Sequence, residues 1–429
     1  MVIKQLLMRL HPNAESFFLW HVLEGIKWPY SLRSFRHRNY FLYFFGELIS
    51  LIGTWIQFIA QNWLVYKLSG SALNLGLLNF VALLPLIPLS LWSGSLADRM
   101  SKKKILMIVQ SLMMIQSLAF FLLTFFGVIQ VWHILILAFL LGAFEAIDVP
   151  VRQAFVVEMV GKEDLGNAIA MNSLLFNSAR IIGPSIAGIL ISFVGESPAF
   201  FLNTISFLAV IAALGLMRLP PIIFVKKKIS MIEHLKEGIH YTLHHQMTWV
   251  LISLIGVYAL LSSPFLILMP AIVKQFPGSG PEDYGIMMTI VGLGAISGSL
   301  LIASLKNDNN SLRYIAISNI SLPIFLIFFS FNRNFYGACF LLFLMGTSFV
   351  IQNAIANTIL QQDSPDELRG RVMSLYSLIF VGSFRIGALQ SGIIADRTTP
   401  FFALGIGAVF ALVYNIYIAV KYLLRKKRE

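Results

Sequence analysis

Charge and cysteine are both scarce in this sequence, and the two shortages narrow its possible functions quickly. Only 12% of the 429 residues are Asp, Glu, Lys or Arg, while 57% are hydrophobic, and one soluble core cannot bury that much apolar surface. The bilayer must act as the solvent. The single cysteine, Cys339, lies within an apolar run, which excludes an intramolecular disulfide framework and a cysteine-built metal site. There is no GxxxxGK[ST] run, so direct ATP drive within the chain is not expected, and no GxSxG elbow suggests a serine hydrolase. His240, His244 and His245 offer a helical i, i+4 pair without a third ligand at a convincing spacing, so neither a metal nor another cofactor is expected. The first 30 residues lack an uninterrupted apolar run followed by a small-residue cleavage site, and no cleaved signal peptide is expected.

Long apolar stretches are what the sequence does have, with a mean hydropathy of +0.79. A spanning helix needs roughly 20 mostly apolar residues, and breaks at Pro, Gly and charge clusters predict twelve of them. Six fall at 39–64, 71–97, 104–126, 132–151, 167–194 and 198–217. Six more fall at 247–273, 283–305, 312–331, 335–358, 370–395 and 401–423. If both termini face the cytoplasm, 26 of the 32 Lys and Arg residues lie on that side and only Lys67, Lys274, Arg333 and Arg397 on the other. The positive-inside rule selects this orientation, so a multi-pass protein of the bacterial inner membrane is expected. The net charge of +12 is then topological, and no nucleic-acid partner is expected.

A shift of about 204 residues superposes the two groups of spans. Gly94-Ser95-Leu96 falls on Gly298-Ser299-Leu300, Lys102 on Lys306, and Gly183 and Gly188 on Gly387 and Gly392. An even number of spans per repeat gives both halves the same orientation, related by an axis along the membrane normal. The expected organisation is an N-terminal cytoplasmic or interfacial segment (1–38), a six-helix bundle (39–217), a cytoplasmic linker (218–246), a second six-helix bundle (247–424) and a basic tail (425–429). The aromatic N-terminal segment and the tail both suit an anionic lipid surface.

Gly94 to Lys104 reads GSLADRMSKKK and resembles GxLADRxGRKx, the loop motif of the major facilitator superfamily, with Ser101 in place of a Gly. The resemblance implies the all-α, twelve-helix major facilitator fold, a monomer, and a conformational latch formed by Gly94, Asp98, Arg99, Lys102 and Lys103. The second copy carries Ile302 where Asp98 stands, so the latch is one-sided. Asp148 to Phe155, Asn172-Ser173, Arg180 and Gly183-Pro184 are similar to the transmembrane secretion effector branch, which includes enterobactin exporters and macrolide efflux proteins. Gly183, Pro184, Ala187 and Gly188 also resemble the antiporter motif GPxxGG, with Ala187 in place of a Gly, and that motif accompanies export in the family. Together they imply export of a siderophore or drug-like amphiphile in exchange for protons.

Ionisable residues inside spans cost roughly 2.5–3.5 kcal/mol each at the helix centre, so each needs a partner or a wet cavity. Glu47, Glu145, Asp148, Arg180 and Arg385 are the candidates for proton coupling or substrate binding. Asp148 reads either as a proton carrier or as a fixed ion pair with Arg180 or Arg152. Arg180 reads either as the holder of a substrate anion or as a partner of Asp148 or Glu145. Gln57, Gln61, Asn172, Asn177, Asn353 and Asn357 are polar candidates for the cavity wall, with interhelical hydrogen bonding as the competing role. A lipid or lysophospholipid flippase is the rival within transport. A membrane-embedded acyltransferase is the rival outside it, and it lacks a nucleophile and base at one depth.

Overall fold

The structure, a computed structural model, describes residues 29–86, 88–89, 100–161, 163–218, 231–304 and 311–423. Among these residues there is no strand, as expected where lipid offers backbone groups no hydrogen-bond partner. A 3-10 turn at Tyr30–Arg36 leads into α1 (Arg38–Ser69). The rest of the first set is α2 (Ala72–Leu83), α3 (Lys102–Phe125), α4 (Val131–Val160), α5 (Leu165–Val194) and α6 (Ser197–Leu216). After an outlying helix α7 (Met231–His244) come α8 (Gln246–Val273), α9 (Pro281–Ser304), α10 (Ser311–Phe331), α11 (Phe335–Asp363), α12 (Asp366–Arg397) and α13 (Pro400–Tyr422). Eleven of these are long and apolar enough to cross a membrane. Ala72–Leu83 is the first part of the expected second span, of which residues 87 and 90–97 lie outside the described residues.

Local chemistry sets the helix ends. Gly70, Gly161 and Gly195 follow α1, α4 and α5 with φ of +64°, +68° and +83°, a left-handed geometry that glycine adopts without a Cβ clash. The Ser71, Asn334 and Thr399 side chains accept the first free N–H groups of α2, α11 and α13, which caps them. Two helices depart from the sequence reading. α4 runs nine residues past the expected end at 151, through Pro150 to Val160. α8 is not continuous: an α segment ends at Val257, a π turn covers Tyr258–Ser262, and the helix resumes at Phe265. Pro264 has no N–H to offer the Leu260 carbonyl, and just before it the Ser263 N–H reaches back five residues to the Tyr258 carbonyl at 3.1 Å.

The packing repeats as the sequence does. α1 packs on α6 and α5, α3 on α6 and α4, and α2 on α4; in the second set α9 packs on α11, and α10 on α11 and α13. The two sets meet along α5–α9 and α2–α12, pairs that exchange under the 204-residue shift. Glycines obey it too. A Cβ on Gly142 would strike the Ala82 carbonyl and one on its equivalent, Gly346, the Val291 carbonyl; Gly183 is pressed on Trp55 and Gly387 on Leu260.

One face carries the Tyr30–Arg36 turn and the end of α13, and is called here the terminal face. At the opposite, far face one apolar core runs unbroken through both sets, joining Ile59 and Ala187 to Phe265 and Met269. Toward the terminal face it divides into two separate cores, one around Phe44, Val151 and Phe207, the other around Leu251, Ile315 and Tyr376. The sets therefore close on each other at the far face and part at the terminal face. Buried Asp164, at the α4–α5 turn, is held by Arg33 at 3.1 Å and by Arg36 and His37 at 2.7 Å. Burial alone would raise its carboxyl pKa; the His37 hydrogen bond and the Arg36 charge outweigh that and hold it below the usual range. This clasp fixes the 3-10 turn against the first set.

Candidate functional site

Where the two cores part, the sequence has placed its few intramembrane charges. α4 supplies Glu145, Asp148 and Arg152, spaced three and four apart and so on neighbouring positions of one face. Asp148 is buried; Gln110 Nε2 of α3 donates to its Oδ1 at 2.9 Å, and Arg152 Nη2 lies 3.1 Å from its Oδ2. Arg152 also donates through Nη1 to Glu47 Oε1 of α1, another buried carboxylate. The other Glu47 oxygen, Oε2, is buried without a hydrogen-bond partner. Two carboxylates thus share one guanidinium, leaving one negative charge in excess when both are ionised. The pairing answers one question left open by the sequence, because Asp148 bonds to Arg152 and not to Arg180. Hydropathy placed Arg152 beyond span 4, yet it is a helical residue whose side chain is 23% exposed.

The second group joins the two sets. Arg385 of α12 donates through Nη2 to Glu145 Oε2 of α4 at 3.1 Å. Arg180 of α5 has no carboxylate partner among the described residues. Its guanidinium lies over the Phe349 ring of α11, 5.3 Å from the centroid, and its Nη2 is buried without a hydrogen bond. Tyr258, in the π turn of α8, is within electrostatic reach of Arg180 and packs its ring 5.5 Å from Phe349; its hydroxyl is buried, with the Ser263 hydroxyl beside it. At about 1.5 Å per residue from the far ends of their helices, Glu145, Arg180 and Arg385 all sit at a depth of about 20 Å. That is the middle of a bilayer core.

The polar candidates divide. Gln57 is buried in α1, donates to Gln116 at 3.3 Å and accepts from Asn203 at 2.8 Å, which ties α1, α3 and α6 together. Gln61 is buried beside it. Asn172 accepts the Tyr40 hydroxyl at 3.0 Å, Asn177 donates to the Ser173 carbonyl, Asn353 accepts from Tyr376 at 3.3 Å, and Asn357 accepts from Gln361. Of the latch residues, Gly94, Asp98 and Arg99 lie outside the described residues. Lys102 pairs with Glu158 of α4, and Lys103 donates to the Gly215 and Met217 carbonyls, so the partners of both belong to the first set. In the antiporter-like motif, Gly183 packs on α1, Pro184 lies within α5, Ala187 is fully buried, and Gly188 meets Gly285 of α9.

This layout is a pseudo-symmetric pair of helix sets with charges within the first set and across the interface between the two. The sequence signature of the transmembrane secretion effectors matches residues 30–429. The chain belongs to that family. It is a multi-pass membrane transporter of the major facilitator type and not an enzyme. Among its relatives, the staphyloferrin A transporter of Staphylococcus aureus is 30% identical, over 82% of this chain and 89% of that one. The multidrug efflux pump Tap of Mycolicibacterium fortuitum is 23% identical over 86% and 94%. The enterobactin exporter EntS of Shigella boydii is 24% identical over 72% and 73%. The fold is shared with a D-xylose-proton symporter (TM-score 0.69, 13% identity, 89% of this chain and 96% of that one). It is shared as well with a bacterial homologue of the lysosomal transporter Spinster in its inward-facing, unoccupied conformation (TM-score 0.67, 13% identity, 90% and 96%).

Proposed function

We propose that this transporter exports a small molecule, a siderophore or drug-like amphiphile, from the bacterial cytoplasm by alternating access, in exchange for protons. The observation that carries the reading is the buried Glu47–Arg152–Asp148 group, with two carboxylates to one cation. Uptake of one proton neutralises its excess charge, and its loss restores it, so the group has two electrostatic states that bias how α1 and α4 sit against α3. The titratable groups facing it are Tyr43 of α1 and Glu145 of α4, and the neutral amide of Gln110 of α3 donates to it. Inward proton movement supplies roughly 2.3 kcal/mol per 100 mV of membrane potential, plus the pH term, enough to concentrate a solute outward tens-fold. With the terminal face in the cytoplasm, as the positive-inside rule expects, the described state opens inward. Siderophore and drug-like substrates are the classes named for the relatives. Monomeric operation is part of this proposal, and the location of the site within one chain supports it.

Comparison of small molecules in the medium and inside cells with and without the gene, grown with and without iron limitation, tests this reading. One metabolite should accumulate within the deletion strain and vanish from its medium, and an iron chelator in that role identifies a siderophore. Matching extracellular profiles with a changed membrane lysophospholipid composition would overturn export and install a lipid flippase in its place.

A further inference from the structure

The 204-residue repeat builds two arginine sites across the interface between the sets, and among the described residues only one holds a carboxylate. In the first, Arg385 of α12 meets Glu145 of α4. The shift carries Glu145 onto Phe349 and Arg180 to within one position of Arg385. In the second site Arg180 of α5 accordingly faces Phe349 of α11, so the chain places a phenyl ring where the symmetric site has a carboxylate. Arg180 Nη2 is left without a hydrogen bond while buried, and the Tyr258 hydroxyl is buried beside it with no polar neighbour but the Ser263 hydroxyl. A guanidinium presents paired donors matched to a carboxylate, and unmade hydrogen bonds of buried donors are costly, so a ligand supplying the acceptors is strongly favoured.

We propose that Arg180 and the Tyr258 hydroxyl form a subsite for a substrate carboxylate, which fills against them the place that Glu145 fills against Arg385. Phe349 offers a ring beside it, suiting a carboxylate carried on an apolar or aromatic body. Because Arg180 belongs to the first set and Tyr258 and Phe349 to the second, the bound anion bridges the two and is released as they part. This names the substrate class of the proposed exporter and rests on that reading for its role in transport, though not for the binding itself.

The test is titration of the purified full-length protein with 2-naphthoate and with its neutral isostere 2-naphthamide, following the thermal midpoint. Naphthoate should raise the midpoint saturably and naphthamide should not. Arg180→Gln should abolish the effect, Arg180→Lys should weaken apparent affinity about tenfold, and Tyr258→Phe should weaken it several-fold. Phe349→Glu, which restores the missing acid, should abolish naphthoate binding, whereas Phe349→Leu should keep it. Equal effects of the two probes, no saturable response to naphthoate, or an undiminished response in Arg180→Gln would each overturn the subsite. A deletion strain without an export defect, alongside Arg180-dependent naphthoate binding, would sink the exporter reading and leave the subsite standing.

Discussion

Arg152 compensates two buried carboxylates at once, so its removal is the most disruptive single change the charged middle admits. Arg152→Gln leaves Glu47 and Asp148 facing each other with no cation, and breaking a buried pair in this way costs roughly 3–5 kcal/mol. A thermal midpoint lowered by several degrees and export reduced more than tenfold are expected. Asp148→Asn retains a partner for Gln110 and removes the excess charge, so the fold should persist while export stops responding to collapse of the proton gradient. Efflux measured with and without a protonophore checks this. The five candidate charges were legible because an ionised residue is conspicuous in an apolar run. Their partners were not: hydropathy placed Arg152 past the end of its span, and Gln110, Tyr258 and Phe349 look like ordinary packing residues until the fold brings them together. Gln57 shows the converse, a polar residue noticed in the sequence whose bonds to Gln116 and Asn203 make it a tie between helices.

At the scale of elements, glycine does two different jobs. Gly346 lets α11 approach α9 within one set, and Gly188 and Gly285 let α5 and α9 touch across the two sets. Gly346→Leu should therefore lower stability, by roughly 1–3 kcal/mol as overpacking does. Gly188→Leu should instead hold the far face apart, leaving that end of the cleft reactive to membrane-impermeant thiol reagents through a cysteine at Ser192, with export lost. The thermal midpoint separates the first effect from the second. Repetition was visible before the fold because Gly183 and Gly387 do the same work 204 residues apart. The break in α8 was not, since Tyr258 to Pro264 continues the hydropathy of a straight span, and only the rerouted Ser263 hydrogen bond shows where the helix yields.

For the whole molecule, the all-helical spans and their pseudo-two-fold arrangement follow from hydropathy and repeat alone, because lipid leaves the backbone no alternative to helices. Hydropathy does not say which end is shut. That depends on side chains meeting across the sets, as in the Ser185 and Thr289 hydroxyls 2.8 Å apart on the far-face side of the Arg180 level. Alternating access requires this contact to break in every cycle, so a cross-link there is the most direct test. In a Cys339→Ser background, Ser185→Cys with Thr289→Cys should form a disulfide that lowers cellular export more than tenfold, and a reductant should restore it. Export by the cross-linked protein at the reduced protein's rate would contradict the account.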